Sequence, residues 1–498
     1  MRLFSHNPPK AQAALQLHWY DWLADGLRRA QASKVLPPIR ALRMSSGREL
    51  LRLDASLRTA QYRVSPAQPR EDCGSDEEVA DAFLFVAACN SDGYIRERAL
   101  EAFSRYPGPL ALAAGLIRST DWVEQVRSAA RALVQDVAPR VLPKDLVQLL
   151  DLVRGLTHRA RGGASLWKSL VEPRLLAPES RHALETEASD PSNPGLRRRL
   201  AFEYLIQGEP GHVPRLLNSA LADRDVKLGL WALAQVESLD SLQERARLLA
   251  FALGTGHAAI RRNALRQYVG LGAQDSAQRL RAALFDSSRG VRMFAAFELQ
   301  HTYNQSALPI WRAALSESEV ALVSLCESGE RPDVEGIAAN AAEHSPTVRA
   351  SILRGLWRVD SPELETQLTA ALANSSTRVI RQASKIYRRG TLSLSVLTLE
   401  HALAHADGRV ALSLITSSES LGKWDCLEFL LRHTVEDSDE RSTRAADCID
   451  RWLLNENRRF TASSHDQIQR LVALSQAAWA RHPQRKWQSL GLILAAQT

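Results

Sequence analysis

The sequence predicts an all-α fold, an α-solenoid in which helix-turn-helix repeats stack one on another. Three observations predict it: an apolar anchor recurs with a period near 30 residues, each anchor opens a helical hydrophobic pattern, and a short polar turn precedes it. No stretch shows the alternation of apolar and polar residues that is typical of a strand. A fixed period of this length is typical of arrays that grow by adding units, without enlarging a single core.

The period is set by an apolar residue that precedes or replaces a Val-Arg step, which we call the anchor. Successive gaps between anchors lie between 28 and 34 residues, except for one gap of 70 that holds two units. The anchors are Ile95, Val126, Leu196, Val226, Ile260, Val291, Val320, Val348, Ile380 and Val410.

Each anchor opens a helix, which we call the B helix of its repeat. After Val126, Ala129, Ala130, Leu133 and Val134 follow at +3, +4, +7 and +8, which places one apolar stripe along a helix. Small residues at +3 or +4 allow the next helix to approach closely.

The helix before each turn, the A helix, has its own pattern, as segment 361–372 illustrates. Ser361 is a candidate cap and Pro362 takes the first turn. Leu364, Leu368 and Leu372 then form the apolar stripe.

Short polar residues five positions before the anchor are expected to cap the B helix. Asp121, Asp286 and Glu343 precede their valines at this distance, and Ser375 precedes Ile380. Such side chains accept hydrogen bonds from the first N–H groups of a helix.

The pattern Asp-x-x-x-x-Val-Arg-x-x-Ala resembles the HEAT repeat family, in its short bacterial form of about 30 residues, over roughly 85–455. The resemblance implies a right-handed superhelix, and an Asp and an Arg that support one another between neighbouring repeats. That role extends to Asp121, Arg127, Asp286, Arg292, Glu343, Arg349 and Arg381. The Arg is absent at Lys227, Ala321 and Ala411, where a weaker ladder is expected. The family includes scaffolds, adaptors and a few enzymes, so it says little about function.

The ends depart from the period. Residues 1–75, with Trp19, Tyr20 and Trp22 crowded together, are predicted to form a helical cap. An end repeat must cover the apolar face of its neighbour, and a docking module for another protein is the alternative.

The array is predicted to span 76–455, with Pro and Gly concentrated at 138–195. That stretch fits either a binding insertion or degraded repeats. Capping helices are expected in 456–498, one from Ser464 to Ala480 and a final one from Trp487.

Composition sets loose limits on partner and compartment. The net charge is +7 over 498 residues, and 55 of the 63 basic residues are Arg, which either a GC-rich genome or selection for the guanidinium fork explains. The five cysteines form no Cys-x-x-Cys pair, and no signal peptide or membrane span is evident. These features predict a cytoplasmic protein with reduced thiols and no membrane partner.

A search for catalytic motifs is negative. The chain has no phosphate-binding loop, dinucleotide fingerprint, nucleophile elbow or His-Glu-x-x-His motif, and none of its 13 histidines precedes a Glu, as di-iron HEAT-like enzymes require. No acidic residue aligns with the catalytic position of HEAT-like alkylpurine DNA glycosylases. His401 and His405, with Asp407, have a weak metal-like spacing. We expect no catalytic residue, no metal and no cofactor.

The family resemblance implies that the B helices line the concave face. Positions +2, +6 and +9 from each anchor lie off the apolar stripe. In the early repeats these positions and their neighbours hold Glu97, Glu101, Ser128 and Gln135, which makes the groove acidic to neutral. In the later repeats they predict basic partner-binding residues with one aromatic: Arg198, Arg262, Arg266, Arg354, Trp357, Lys385 and Arg389.

A long curved surface of this kind suits a scaffold or adaptor without enzymatic activity that binds a protein partner. The alternative is a nucleic-acid-binding protein that uses the basic part of the groove for phosphates and bases. The arginines are also consistent with solvated surface residues that bind no ligand. An enzyme whose site the sequence does not reveal is the third alternative.

Overall fold

The protein is helical throughout the part that the computed structural model describes, and that part contains no strand. The structure describes residues 42, 45–59, 77–157, 163–373, 376–389, 392, 394–406, 408–436, 438–455, 461–485 and 487–496. Trp19, Tyr20 and Trp22 of the predicted cap, Ser375 and Asp407 lie outside these residues. The chain divides into two compact units, with the boundary between Ala273 and Gln274.

The first unit is a stack of helix pairs in which neighbouring helices touch. Its helices are α1 (Gly47–Thr59), α2 (Glu77–Ala88), α3 (Gly93–Phe103), α4 (Pro109–Arg118), α5 (Glu124–Val137), α6 (Pro143–Gln148), α7 (Leu152–Thr157), α8 (Gly163–Leu166), α9 (Glu172–Leu175), α10 (Arg181–Ser189), α11 (Gly195–Gly208), α12 (Val213–Leu221), α13 (Val226–Glu237), α14 (Leu242–Leu253) and α15 (Ala258–Gly270). The B helix α3 contacts its own A helix α2 and the next B helix α5, and α13 contacts α12 and α15 in the same way.

The irregular stretch of this unit holds short helices. A π-helical turn, Trp167–Val171, lies between α8 and α9. The buried Trp167 indole donates to the Tyr204 hydroxyl at 2.9 Å, which ties this turn to α11.

The second unit repeats the arrangement. Its helices are α16 (Ser276–Ala283), α17 (Arg289–Tyr303), α18 (Ala307–Ala313), α19 (Glu319–Ser328), α20 (Arg331–Ala338), α21 (Pro346–Arg358), α22 (Leu364–Leu372), α23 (Thr377–Tyr387), α24 (Val396–Ala404), α25 (Gly408–Ser417), α26 (Lys423–Thr434), α27 (Asp439–Asn455), α28 (His465–Arg481) and α29 (Gln488–Ala495). Its B helices α19, α21, α23, α25 and α27 each contact the next in order. The predicted all-α solenoid is confirmed, whereas the right-handed sense of its superhelix stays a prediction.

The B helices approach one another closely where a glycine faces the neighbour. A Cβ at Gly355 on α21 would lie 2.7 Å from the carbonyl oxygen of Cys326 on α19, closer than real Cβ atoms come. At Gly229 on α13 it would lie 2.3 Å from a carbon of Ile260 on α15. Glycine at these positions therefore sets how near the stacked helices lie.

The Arg after the anchor folds back onto the turn that precedes its own helix. In four repeats its guanidinium donates to the carbonyl oxygen six residues earlier, at 2.7 to 3.0 Å. The pairs are Arg96 with Asn90, Arg127 with Asp121, Arg261 with Thr255, and Arg292 with Asp286. The recurrent Val-Arg step thus places a donor on turn carbonyls that the helix itself leaves without a partner.

Two of these arginines also reach an acid of the next repeat, as the family resemblance implies. Arg96 meets Asp121 at 2.9 Å and Arg292 meets Glu327 at 2.6 Å, and all four side chains are buried. The implied role fails at Arg349, which has no side-chain hydrogen bond or ion pair with any residue that the structure describes, and Glu343 is exposed.

Arg381 also departs from the ladder, since it donates to the backbone and hydroxyl oxygens of Thr377. Arg127 has its ion pair within its own helix, with Glu124. The ladder is therefore present in some repeats and absent from others.

The residues predicted to cap the B helices lie too early in the chain. Asp121 and Asp286 accept from the backbone N–H two residues on, at 3.1 and 2.7 Å, and so shape the turn before the helix begins. The cap itself comes later, as at Asp92 before α3 and Ser345 before α21. Glu343 ends a 3-10 turn, so it does not cap α21.

The expected helix over 361–372 begins only at Leu364, because Ser361 accepts from the Glu363 N–H in a turn. The final helices match more closely, since Ser464 caps α28 and α29 follows Trp487.

Candidate functional site

Two of the predicted basic residues in the first unit lie on an exposed helix face. Arg262 and Arg266 are one turn apart on α15, and both side chains are exposed. The +2 and +6 positions from Ile260 therefore point away from the core there, because Ile260 itself is fully buried.

Arg198 is a correction to the predicted site. Its side chain is 3% exposed and forms an ion pair with Asp223 in the turn before α13. Leu196 is only half-buried, whereas Arg197 is buried and pairs with Glu187 at 2.7 Å. The inward-facing position is therefore Arg197, one residue after the predicted anchor, and Arg198 takes the ladder position that follows it.

Three of the four predicted residues of the second unit lie on the neighbouring B helices α21 and α23, Arg389 follows the end of α23, and two of the four touch. The guanidinium carbon of Arg389 lies 4.4 Å from the centre of the Trp357 ring, within the range of a cation–π contact. Arg354 lies 3.7 Å from Glu327 and donates to Ser351 at 2.8 Å, and Lys385 is exposed. One guanidinium thus covers the aromatic ring that was expected to contact a ligand.

A groove with acidic character lies between α3 and α5 in the first unit, and we call it the acidic groove. Its volume is about 530 Å³, and it is lined by Glu97, Leu100, Glu101, Ser104, Gln125, Ser128, Ala129, Ala132, Leu133 and Asp136. Glu97, Glu101 and Ser128 are residues that the +2 and +6 rule places on this face. Asp136 pairs with Arg140 and Glu101 lies 3.6 Å from Arg98, so Glu97 is the one acid of this lining without an ion pair among the described residues.

A groove of opposite character lies among α23, α25 and α27 in the second unit, and we call it the basic groove. It holds about 440 Å³ and has four arginines and no acid in its lining. It is lined by Thr377, Arg381, Ser384, Arg388, Arg409, Leu412, Ser413, Thr416, Ser417 and Arg444.

Sequence reasoning missed the four arginines of this groove. It assigned Arg381 to the ladder, and it did not consider Arg388, Arg409 or Arg444, which lie off the +2, +6 and +9 positions. The predicted Lys385 lies on α23 one residue after the groove-lining Ser384, and Arg389 follows the groove-lining Arg388 just beyond the end of this helix. On a helix, that step turns a side chain by about 100°.

The arginines of the basic groove differ in how far their charge is already paired. Arg388 lies 3.3 Å from Glu419, whose second oxygen meets Arg451 at 3.1 Å. Arg409 and Arg444 have no hydrogen bond or ion pair with any residue that the structure describes. These two guanidiniums therefore keep all their donors for a ligand.

Three of the five hydroxyl groups that line the basic groove have already donated their protons. Thr416 donates to the Leu412 carbonyl at 2.9 Å, and Ser417 donates to the Ser413 carbonyl at 2.8 Å. Ser384 donates to Ile380 at 2.8 Å or to Ser417. Because a hydroxyl has one proton, these groups offer only acceptor lone pairs to a ligand.

Nucleophilic and metal-binding chemistry finds little support among the described residues. Burial raises the pKa of Cys326 to about 12, which keeps its thiol protonated. The rings of His401 and His405 lie edge to face with centres 5.2 Å apart. No group of three or more His, Cys, Asp or Glu that could hold a metal ion is present in the described part of the chain.

Comparisons with known proteins add little beyond the fold. No protein-family model matches the chain, and no curated protein matches it either. Among solved structures it is similar to the crystal structure of a Kap121p mutant, at 13% sequence identity and a TM-score of 0.21. The match covers 98% of this chain and 56% of that one, so this chain spans little more than half of that length. A likeness at this level carries no information on partner or activity.

No described helix is long and apolar enough to cross a membrane. The four described cysteines, Cys89, Cys326, Cys426 and Cys448, are buried and form no disulfide with one another.

Proposed function

We propose that the chain is a scaffold or adaptor without enzymatic activity that binds a protein partner on the exposed faces of its B helices. The observation that carries this proposal is the pair of grooves. One is lined by Glu97 and Glu101, and the other by four arginines without an acid. Protein surfaces present both signs of charge, so they complement grooves of both kinds.

Nucleic acid is the second candidate, favoured by the exposed Arg262 and Arg266 and by the basic groove. Two features weigh against it. A polyanion is repelled by the acidic groove, and the lining of the basic groove contains no aromatic side chain on which a base stacks. Trp357, the aromatic of the predicted site, is covered by Arg389.

The first experiment separates these two candidates. The purified full chain is titrated with short labelled single- and double-stranded DNA and RNA over a range of salt concentrations. We expect weak binding that Arg262→Glu with Arg266→Glu leaves unchanged. The free energy of unfolding of the double variant is expected to lie within about 1 kcal/mol of the wild-type value, because both side chains are exposed. Tight binding that falls steeply with salt and is abolished by this variant would replace the protein partner with nucleic acid.

The second experiment tests for a protein on the B-helix face. A photo-crosslinking residue is placed at Ser128 in the acidic groove, and a matched one at the exposed Arg247 on the A helix α14. In cell extract we expect protein adducts from position 128 that survive nuclease, and few from position 247. Equal labelling from both positions, or adducts that nuclease removes, would contradict the proposal.

A further inference from the structure

We propose that the basic groove binds an extended acidic peptide segment, whose carboxylates meet the arginines and whose backbone N–H groups meet the hydroxyl oxygens. The inference rests on the proposed function and names the chemistry of the partner at this one site. Clusters of arginine are a recurrent way to recognise acidic segments of proteins.

The arginines supply the charge that such a segment requires. Arg409 and Arg444 approach the groove from α25 and α27, and neither has a hydrogen bond or ion pair within the described residues. A guanidinium binds a carboxylate through two parallel hydrogen bonds, which gives direction as well as affinity. Two such groups without a partner can each hold one acidic side chain.

The protein itself shows a carboxylate at the edge of this groove. Glu419 lies between Arg388 and Arg451, with oxygen-to-nitrogen distances of 3.3 and 3.1 Å. Arg388 lines the groove and Glu419 does not. One of the four arginines, Arg388, therefore already has a carboxylate partner within the chain, whereas Arg409 and Arg444 have none among the described residues.

Three of the hydroxyl groups that line the groove distinguish a peptide from other anions. Ser384, Thr416 and Ser417 have donated their protons to oxygens of the protein, so they offer only acceptors. A phosphate or carboxylate oxygen gains nothing from an acceptor, whereas a peptide N–H does. Since Ser384 and Ser417 are nearly buried, they lie at the floor of the groove. The groove thus pairs arginine donors with acceptors at its floor, and an acidic peptide carries both complements.

Single-stranded nucleic acid fits this arrangement less well. Its affinity for proteins comes from phosphate contacts together with bases stacked on aromatic rings. None of the residues that line the basic groove is aromatic.

The test uses the full chain and three labelled probes of equal negative charge. The first is a peptide of alternating glutamate and alanine, the second is the same peptide with its backbone nitrogens methylated, and the third is an oligothymidylate. The groove variant is Arg409→Glu with Arg444→Glu. Its control, Arg247→Glu with Arg262→Glu, makes the same change in net charge at exposed side chains outside the groove. Circular dichroism and thermal unfolding verify that both variants fold.

We expect the glutamate peptide to bind, and the groove variant to weaken its binding about tenfold or more, because it replaces two charge partners with repelling charges. The control is expected to stay within about twofold, since distant exposed charges are screened by salt. The methylated peptide is expected to bind less tightly than the parent, although its charge is unchanged.

Three results would overturn the inference: no binding of the glutamate peptide, equal losses in the groove variant and the control, or oligothymidylate that binds as tightly as the peptide. If the methylated peptide bound as tightly as the parent peptide, the hydroxyl oxygens at the floor of the groove would have no role in binding. A protein crosslinked at position 128 in any of these cases would leave the proposed function standing.

Discussion

At the scale of single residues, Asp121 is the most constrained charged group of the first unit. It is buried and accepts from Arg96 at 2.9 Å, from Arg118 at 3.0 Å and from the Val123 N–H at 3.1 Å. Burial alone would favour the neutral acid, but these donors outweigh it, and the pKa of Asp121 is lowered. Arg118 also pairs with Asp54 of α1, so one network joins α1 to the first repeats.

Asp121→Asn is therefore expected to destabilise the protein by about 3 to 5 kcal/mol, because it leaves the buried guanidinium of Arg96 without a counter-charge and leaves Arg118 with Asp54 alone. Urea unfolding of the full chain measures the effect. The matched control is Asp136→Asn, which removes an exposed partner of Arg140 and is expected to cost less than about 1 kcal/mol. The lowered pKa gives a second check. The contribution of Asp121 is present above its usual pKa of 3.8 and is lost as the pH falls through the folded value. Equal destabilisation by both variants would contradict this account.

His482 is a residue whose charge depends on folding near neutral pH. Its Nε2 lies 2.8 Å from the Ser442 hydroxyl, which joins the end of α28 to α27. Burial, and then the nearby Arg485, lower the pKa of His482 below its usual 6.5. Between the folded and unfolded values the unfolded chain binds a proton that the folded chain does not. Stability therefore falls as the pH decreases from 6.5 through the folded pKa.

We expect His482→Gln, which keeps an amide group near Ser442, to reduce this acid dependence. Thermal unfolding of the wild type and the variant at several pH values from about 7 to 5 measures it. The melting temperatures of the two proteins should diverge least at the acidic end. Parallel pH curves for the two proteins would show that another group carries the dependence.

Single residues also show where sequence reasoning reached its limit. The hydrophobic pattern favoured Leu196 as an anchor because an apolar residue normally marks the buried face. The structure buries Arg197 and Arg198 at that point, and each has a carboxylate partner. A charged residue faces the core there because its partner comes from elsewhere in the chain, and no local pattern reveals such a partner.

At the scale of helices, the distance between neighbouring B helices depends on glycine. Gly355→Ala on α21 places a Cβ 2.7 Å from the Cys326 carbonyl oxygen and 2.9 Å from a methyl carbon of Val334. Since the first of these atoms is backbone, the helices must separate, and we expect a loss of about 1 to 3 kcal/mol. Gly336→Ala on α20 is the control, because nothing lies within 4 Å of its added carbon. It is expected to stabilise the helix by about 0.5 to 1 kcal/mol. Chemical unfolding measures both, and effects of the same sign would contradict the close-packing argument.

The sequence predicted which segments are helical, but it did not predict the residue at which each helix begins. The periodic apolar stripe fixes which segment is helical, as Leu364, Leu368 and Leu372 show by their burial. The start depends on which of several polar residues in the turn accepts from the first free N–H. At α21 it is Ser345 and not Glu343, because the chain first makes a 3-10 turn.

At the scale of the whole molecule, the stability of a repeat array is approximately a sum over neighbours. Val291→Asp places an unpaired carboxylate at a position that is 2% exposed, which is expected to cost several kcal/mol. We expect hydrogen exchange to show lost protection in α17 and in the helices that touch it, α16 and α18, before it is lost elsewhere. Uniform loss of protection along the chain would indicate a single cooperative unit instead.

The function of the whole molecule was less accessible than its fold. A repeat with a fixed period specifies stacked helix pairs from local spacing alone. The charge of each groove is set by residues from two or three helices at once, such as Arg409 on α25 and Arg444 on α27. A shift of one residue in the assumed register then selects different side chains, as Lys385 and Arg389 show.

The acids that receive the ladder arginines come from different places in the next repeat. Asp121 and Asp223 belong to turns before a B helix, whereas Glu327 belongs to the end of one. Each of these arginines therefore fits the acid of the repeat that follows it. A repeat that was duplicated or moved along the chain would bring its arginine to a neighbour without the matching acid. Where such a pair is present, it specifies which repeat can follow, although the repeats share one backbone plan.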